Sequence, residues 1–129
     1  TNTNLLILEQ AIGGYDAVAL NATTGATLAY TDGALSNGKN KVIKLTGTLT
    51  ANVNVVVPDN VEKTYIIENA TSGAFTVTVK TTSGTGPTFA ATDKTIKLVY
   101  SDGTDIVEYS NNLSGVASNG FAVAMAIAL

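Results

Sequence analysis

Carboxylates are the main groups in this 129-residue chain that could do chemistry, because His, Cys and Arg are all absent. Without those residues the usual nucleophile–base pairs, guanidinium oxyanion clamps and imidazole or thiolate zinc sites cannot be drawn. Asp102 and Asp105 flank a Gly-Thr step and Glu108 follows, a spacing at which a calcium loop or a glycosidase-like acid pair can be imagined. Asp-Gly is, however, an ordinary hairpin turn, and the turn reading is preferred. Gly84-Thr85-Gly86 resembles a fragment of a phosphate loop but lacks the Gly-Lys pair and helix start that make such a loop work; it reads as a surface loop. Three glycosylation-type triplets, at Asn21, Asn69 and Asn112, fall in a chain rich in Asn and Thr and are read as turns. No catalytic residue, cofactor-binding residue or metal ligand is assigned, no cofactor is expected, and the chain is expected not to be an enzyme.

The elements that would position such groups are β-type. The length suits one domain, and 45% hydrophobic against 13% charged residues is enough for a true core. A net charge of -3 lacks the basic excess that phosphate binding demands, so nucleic acid is not an expected partner. No Cys is present for disulfides, and stability must come from packing or assembly. No apolar run reaches the roughly 18 residues that span a bilayer, so membrane insertion is not expected. Thr1 to Asn4 carry no signal-peptide pattern, and a first residue Thr is what initiator-Met removal would leave, which points to a non-secretory route.

Thr64 to Lys80 reads as a central hairpin: Tyr65, Ile66 and Ile67 form one arm, Asn69, Ser72 and Gly73 the turn, and Phe75, Val77 and Val79 alternate with Thr76, Thr78 and Lys80 in the other. A second hairpin is expected where Ile96, Leu98 and Tyr100 lead through Asp102-Gly103 to Ile106–Tyr109. Tyr15 to Leu20, Val42 to Thr46 and Val53 to Val57 read as strands, the last stopped by Pro58. Leu5-Leu6-Ile7-Leu8 fits a strand or a brief helix equally well. Thr82 to Pro87 is the most loop-like segment. The turn Asn21 to Ala26 is echoed at Asn69 to Ala74, about 48 positions on, and Tyr30 to Gly33 at Tyr100 to Gly103, about 70 on. Unequal offsets indicate reused turn chemistry and not a tandem repeat fold.

At the C-terminal end Phe121, Val123, Met125, Ile127 and Leu129 share one parity and Ala122, Ala124, Ala126 and Ala128 the other. A helix would scatter the large residues around its circumference, so a strand covered on both faces is preferred. Phe121, Val123, Ala124, Met125, Ile127 and Leu129 are therefore the expected assembly interface. Deleting residues 120–129 should cost assembly more than it costs the fold.

Lys41 to Tyr109 resembles a β-rich module of tailed-bacteriophage virion proteins, of the tail-fibre, appendage or capsid-decoration type. The likeness is carried by Leu45-Thr46-Gly47-Thr48-Leu49-Thr50-Ala51-Asn52, Val57-Pro58-Asp59, Tyr65-Ile66-Ile67-Glu68-Asn69-Ala70-Thr71-Ser72-Gly73 and Leu98-Val99-Tyr100-Ser101-Asp102-Gly103-Thr104, in that order. The resemblance implies a structural or adsorption element, commonly homotrimeric, with no catalytic residues to carry over, and no coiled-coil or collagen-like shaft flanks it here. The expected fold is all-β: an antiparallel β-sandwich or barrel-like module built from hairpins and completed by oligomerisation. It is divided into an N-terminal assembly segment (1–40), the phage-type module (41–109) and a C-terminal apolar strand (110–129). The expected function is that of a virion structural protein, a capsid decoration (cement) or tail-fibre-type module assembled in the host bacterial cytoplasm. Its partners would be copies of itself and other virion proteins of the capsid shell or tail. The alternative is a carbohydrate-binding adsorption module recognising a surface glycan. A sugar site wants an exposed aromatic platform, whereas the chain has no Trp and most of its five Tyr lie in strand patterns.

Overall fold

A computed structural model describes residues 2–31 and 33–109. The first element is a helix, α1 (Asn2–Gly13), which resolves the ambiguity of the Leu-Leu-Ile-Leu run. Leu, Glu, Gln and Ala favour it, and it stops at the Gly13-Gly14 pair, where the Gly14 N–H donates to the Gln10 carbonyl at 2.8 Å. The Gly14 carbonyl then accepts from the N–H groups of Lys41 (3.0 Å) and Val42 (2.9 Å), tying the helix exit to the body.

Nine strands follow among the described residues: β1 (Tyr15–Ala19), β2 (Gly25–Thr27), β3 (Val42–Thr46), β4 (Val53–Val57), β5 (Glu62–Asn69), β6 (Val77–Thr81), β7 (Thr88–Phe89), β8 (Ile96–Asp102) and β9 (Ile106–Glu108). A 3-10 turn, Asn37–Lys39, precedes β3. The β-rich expectation holds. The strands form two mixed sheets, one ordered β1-β3-β5-β8-β9 and the other β2-β4-β6-β7.

The pairing differs from an all-hairpin, antiparallel design. Within the first sheet β1, β3 and β5 are parallel, and within the second so are β2, β4 and β6. A parallel neighbour needs a crossover. Here it is supplied by a strand of the other sheet, so the chain alternates between sheets through three successive coils. The segment Thr64–Lys80 is consequently not a hairpin: β5 and β6 belong to different sheets, and Asn69 to Gly73 carry the chain across instead of folding it back. The Ile96–Glu108 hairpin forms as expected, β8 and β9 pairing antiparallel.

The stacking displacement differs between coils: Tyr15 lies beside Val42, 27 positions on, and Gly25 beside Asn54, 29 positions on, but from the second coil to the third it is constant. Val42 lies beside Ile66 and Val53 beside Val77, each 24 positions on. The same displacement recurs in the Thr48–Ser72 bridge and in side-chain bonds from the Thr76 N–H to Asn52 (2.9 Å) and from the Ser83 N–H to Asp59 (3.1 Å). A coil-stacked architecture is therefore present where none was expected, with burial as its periodic quantity. The Asn21 and Asn69 turns are indeed reused chemistry, since the residue stacked in line with Leu45 and Asn69 is Val18, not Asn21.

One core cluster draws on both sheets: Ile43, Leu45, Tyr65, Ile67 and Val99 from one, Val55, Val57, Val77, Val79 and Phe89 from the other. These side chains are essentially inaccessible to water, and each large one buried contributes about 1.5–3 kcal/mol before the entropy of ordering is subtracted. Every buried side-chain polar atom among the described residues is hydrogen-bonded, so the coils stack without orphaned groups.

Candidate functional site

Two surfaces qualify as candidate sites: the carboxylate-bearing loops and the exposed side of α1. At the first, Asp102 opens the β8–β9 turn, and its Oδ1 accepts from the N–H groups of Thr104 (2.8 Å) and Asp105 (2.7 Å). Asp105 is turned the other way, its Oδ1 accepting from the Thr85 N–H at 2.8 Å and so clamping the Thr82–Pro87 loop. Glu108 pairs with Lys97 at 2.9 Å, and Lys97 also faces Asp93 at 3.5 Å and the Phe89 ring at 5.2 Å. Asp102, Asp105 and Glu108 are thus close in sequence but engaged with three different partners. Among the described residues no three acidic side chains converge on a point where a metal ion would sit.

A small cleft of about 230 Å³ between the loops is lined by Asp59, Asn60, Ser83, Gly103 and Thr104. Asp59 contributes to the wall but is itself bonded to the Ser83 hydroxyl and N–H. The hydroxyl and then the N–H of Ser83 hold the Asp59 carboxyl below the usual carboxylate range. The N–H groups of Asp105 and Thr104 do the same for Asp102. For Asp93 the Thr95 hydroxyl is the main cause, followed by Lys97. A general acid needs the opposite shift. These carboxylates act as turn locks.

Their shifts predict the acid limb of stability. A carboxyl whose folded-state pKa is depressed adds stability that is complete above its unfolded value, near 4, and is lost as pH falls through the lower folded values. The thermal midpoint is expected to be level from about pH 7 to about pH 5 and to decline below about pH 4. Calorimetry across that range checks it; a decline already complete above pH 5 would contradict the assignment.

The second surface is apolar. Ile7, Gln10 and Ala11 turn toward the body, where the Gln10 amide donates to the Ser36 carbonyl at 2.8 Å and the Lys63 ammonium to the Ala11 carbonyl at 3.1 Å. Burial, followed by the neighbouring Lys41 charge, lowers the Lys63 pKa; a cation at a helix C-terminus is favourably placed against the helix dipole. The opposite side of the helix carries Leu5, Leu8 and Ile12, which are 60%, 57% and 73% exposed. With Leu6, Tyr15 and Leu35 they line an open groove of about 800 Å³. Sequence reasoning placed this surface within an N-terminal assembly segment (1–40) without singling out its residues, although the leucines and isoleucines of a twelve-residue segment were their signal. The expected interface Phe121, Val123, Ala124, Met125, Ile127 and Leu129 lies outside the described residues.

No described helix is long and apolar enough to cross a membrane. The chain matches no protein-family model, no curated protein and no solved structure.

Proposed function

We propose that the protein is a non-enzymatic structural component of a tailed-bacteriophage virion, a homotrimeric capsid decoration (cement) or tail-fibre-type module. In this reading its two sheets form a sandwich-like body completed by assembly with copies of itself and with shell or tail proteins. The observation that carries the reading is the contiguous apolar surface of α1, Tyr15 and Leu35, since exposed patches of this kind mark association sites. The carboxylates of Asp59, Asp102 and Asp105, each engaged by backbone N–H groups, support a structural over a hydrolytic role. Peptide mass spectrometry of gradient-purified particles tests it: the chain is expected in stoichiometric, repeating copy number, and its absence from particles would overturn the proposal.

A carbohydrate-binding adsorption module is the second reading, favoured by one observation. The Tyr100 and Tyr109 rings lie 5.0 Å apart at the β8–β9 edge, and Tyr109 is exposed, giving a small aromatic surface of the kind sugars stack on. A glycan panel distinguishes the two, because binding lost at least tenfold on Tyr109→Ala would favour the adsorption module. Turnover abolished by Asp102→Asn or Glu108→Gln would remove the structural reading altogether.

A further inference from the structure

We infer that the outer stripe of α1 is a homotypic seam, through which the helix of one copy packs against the α1 helices of two others. The inference deepens the proposed structural role, on which its threefold stoichiometry rests. Leu5, Leu8 and Ile12 recur at i, i+3 and i+7, the spacing at which one helix meets another like itself. They lie opposite the residues that hold the helix to the body, so two partners can reach them without displacing an existing contact.

Size and charge select a second copy as the occupant. Leu5, Leu6, Leu8, Ile12, Tyr15 and Leu35 together leave on the order of 600 Å² of residue surface in water, at the upper end for the largest patch of a monomer, and shared between two partner helices it offers roughly 300 Å² to each. Glu9 is the one charged side chain of the helix, so identical helices meet with little like-charge repulsion and need no oppositely charged partner. The helix also needs the help: twelve residues are marginal as an isolated helix in water, and its described polar ties to the body outside the chain exit are those of Gln10 and Lys63. Because Gly14 fixes the helix exit to the start of β3, association of the helices brings the bodies together in one orientation.

Sedimentation equilibrium of the full chain, wild type against Leu8→Glu/Ile12→Glu, is the test. A trimer mass that falls to a monomer mass in the variant, with an unchanged β-type circular dichroism spectrum, is the expected result. An unchanged trimer would overturn the seam while leaving particle association, read separately by mass spectrometry, standing. A monomeric wild type at high micromolar concentration would also overturn it. Should the variant not fold, Ile12→Cys decides, since the chain has no other cysteine to confuse the result. A short bis-maleimide should convert more than half of it to covalent dimer, and no cross-linked species would overturn the inference.

Discussion

Gly25→Ala is expected to lower the stability of the protein by about 3 kcal/mol or more, a displacement of the thermal midpoint by roughly 10–20 °C. Gly25 opens β2 at φ 81°, in the left-handed region where a Cβ is strained. A Cβ there would also stand 2.1 Å from the Asn54 carbonyl oxygen of the stacked strand β4. Neither atom can move away, since Gly25 exchanges backbone hydrogen bonds with Asn21 (2.8 and 3.0 Å) and is in register with Asn54. Gly33 supplies the control. It has φ 73° but open space where its Cβ would be, so Gly33→Ala isolates the backbone cost, about 1–2 kcal/mol. Urea melts of both variants separate the two effects; equal losses would show that the coils can part to admit a methyl group.

The second large effect is expected at Asn69. Its side chain is fully buried at the end of β5. Its Oδ1 accepts from the Thr71 N–H (3.2 Å) and hydroxyl (2.7 Å), and its Nδ2 donates to the Asp93 carbonyl at 2.9 Å. Asn69→Ala strips three polar groups of their partner where water cannot readily replace it, and should cost about 3 kcal/mol. Asn21 begins the same Asn-Ala-Thr turn, with Oδ1 accepting from the Thr23 N–H and hydroxyl (both 3.0 Å) and the Thr24 N–H (3.2 Å), but it is exposed. Asn21→Ala should cost no more than about 1 kcal/mol, since water takes over the bonds. Chemical denaturation of the pair measures burial at constant local chemistry, and similar losses at both sites would refute the distinction.

These positions also show what was legible in the sequence. The strands Val42–Thr46 and Val53–Val57 were readable from period-two alternation, because one face of each is buried and the other is not; Ile96–Asp102 was found as a strand, but its alternating Ile96, Leu98 and Tyr100 lie on the more open face while Val99 and Ser101 are buried. The partners of these strands were not readable. Alternation says which side chains share a face but is blind to whether the next strand lies beside its predecessor or across the core from it. Asn69 to Gly73 can serve either route, so the hairpin reading of Thr64–Lys80 was a fair use of local signals that the global winding overrode. The 24-residue spacing is carried by apolar columns such as Val53–Val77 and Val55–Val79, in which small β-branched residues recur without surrounding identity. The Asp102 turn was read as a two-residue turn at Asp102-Gly103, but its centre lies on Gly103-Thr104, between Asp102 and Asp105, whose backbones bond at 3.1 Å. The outer residues of α1 were not singled out because Leu6, Ile7 and Ala11 fall between Leu5, Leu8 and Ile12 and mask their helical spacing in so short a run.

The winding does not continue in one sense to the end. After β6 the chain turns about, β7 lying antiparallel to β6 and β8 antiparallel to β5, so that the growing edge of both sheets is closed by strands running against it. The stack therefore has a starting edge at β1 and β2 and a closed edge at β7 and β9. An insertion of 24 residues patterned like Lys41–Thr64 and placed between β4 and β5 would move the closing strands away from β1 by about 4.8 Å, one strand spacing, and would carry Lys63 away from the Ala11 carbonyl it meets. Chain length in this architecture is a molecular ruler graduated in coils, each added coil advancing the closing strands by one strand spacing.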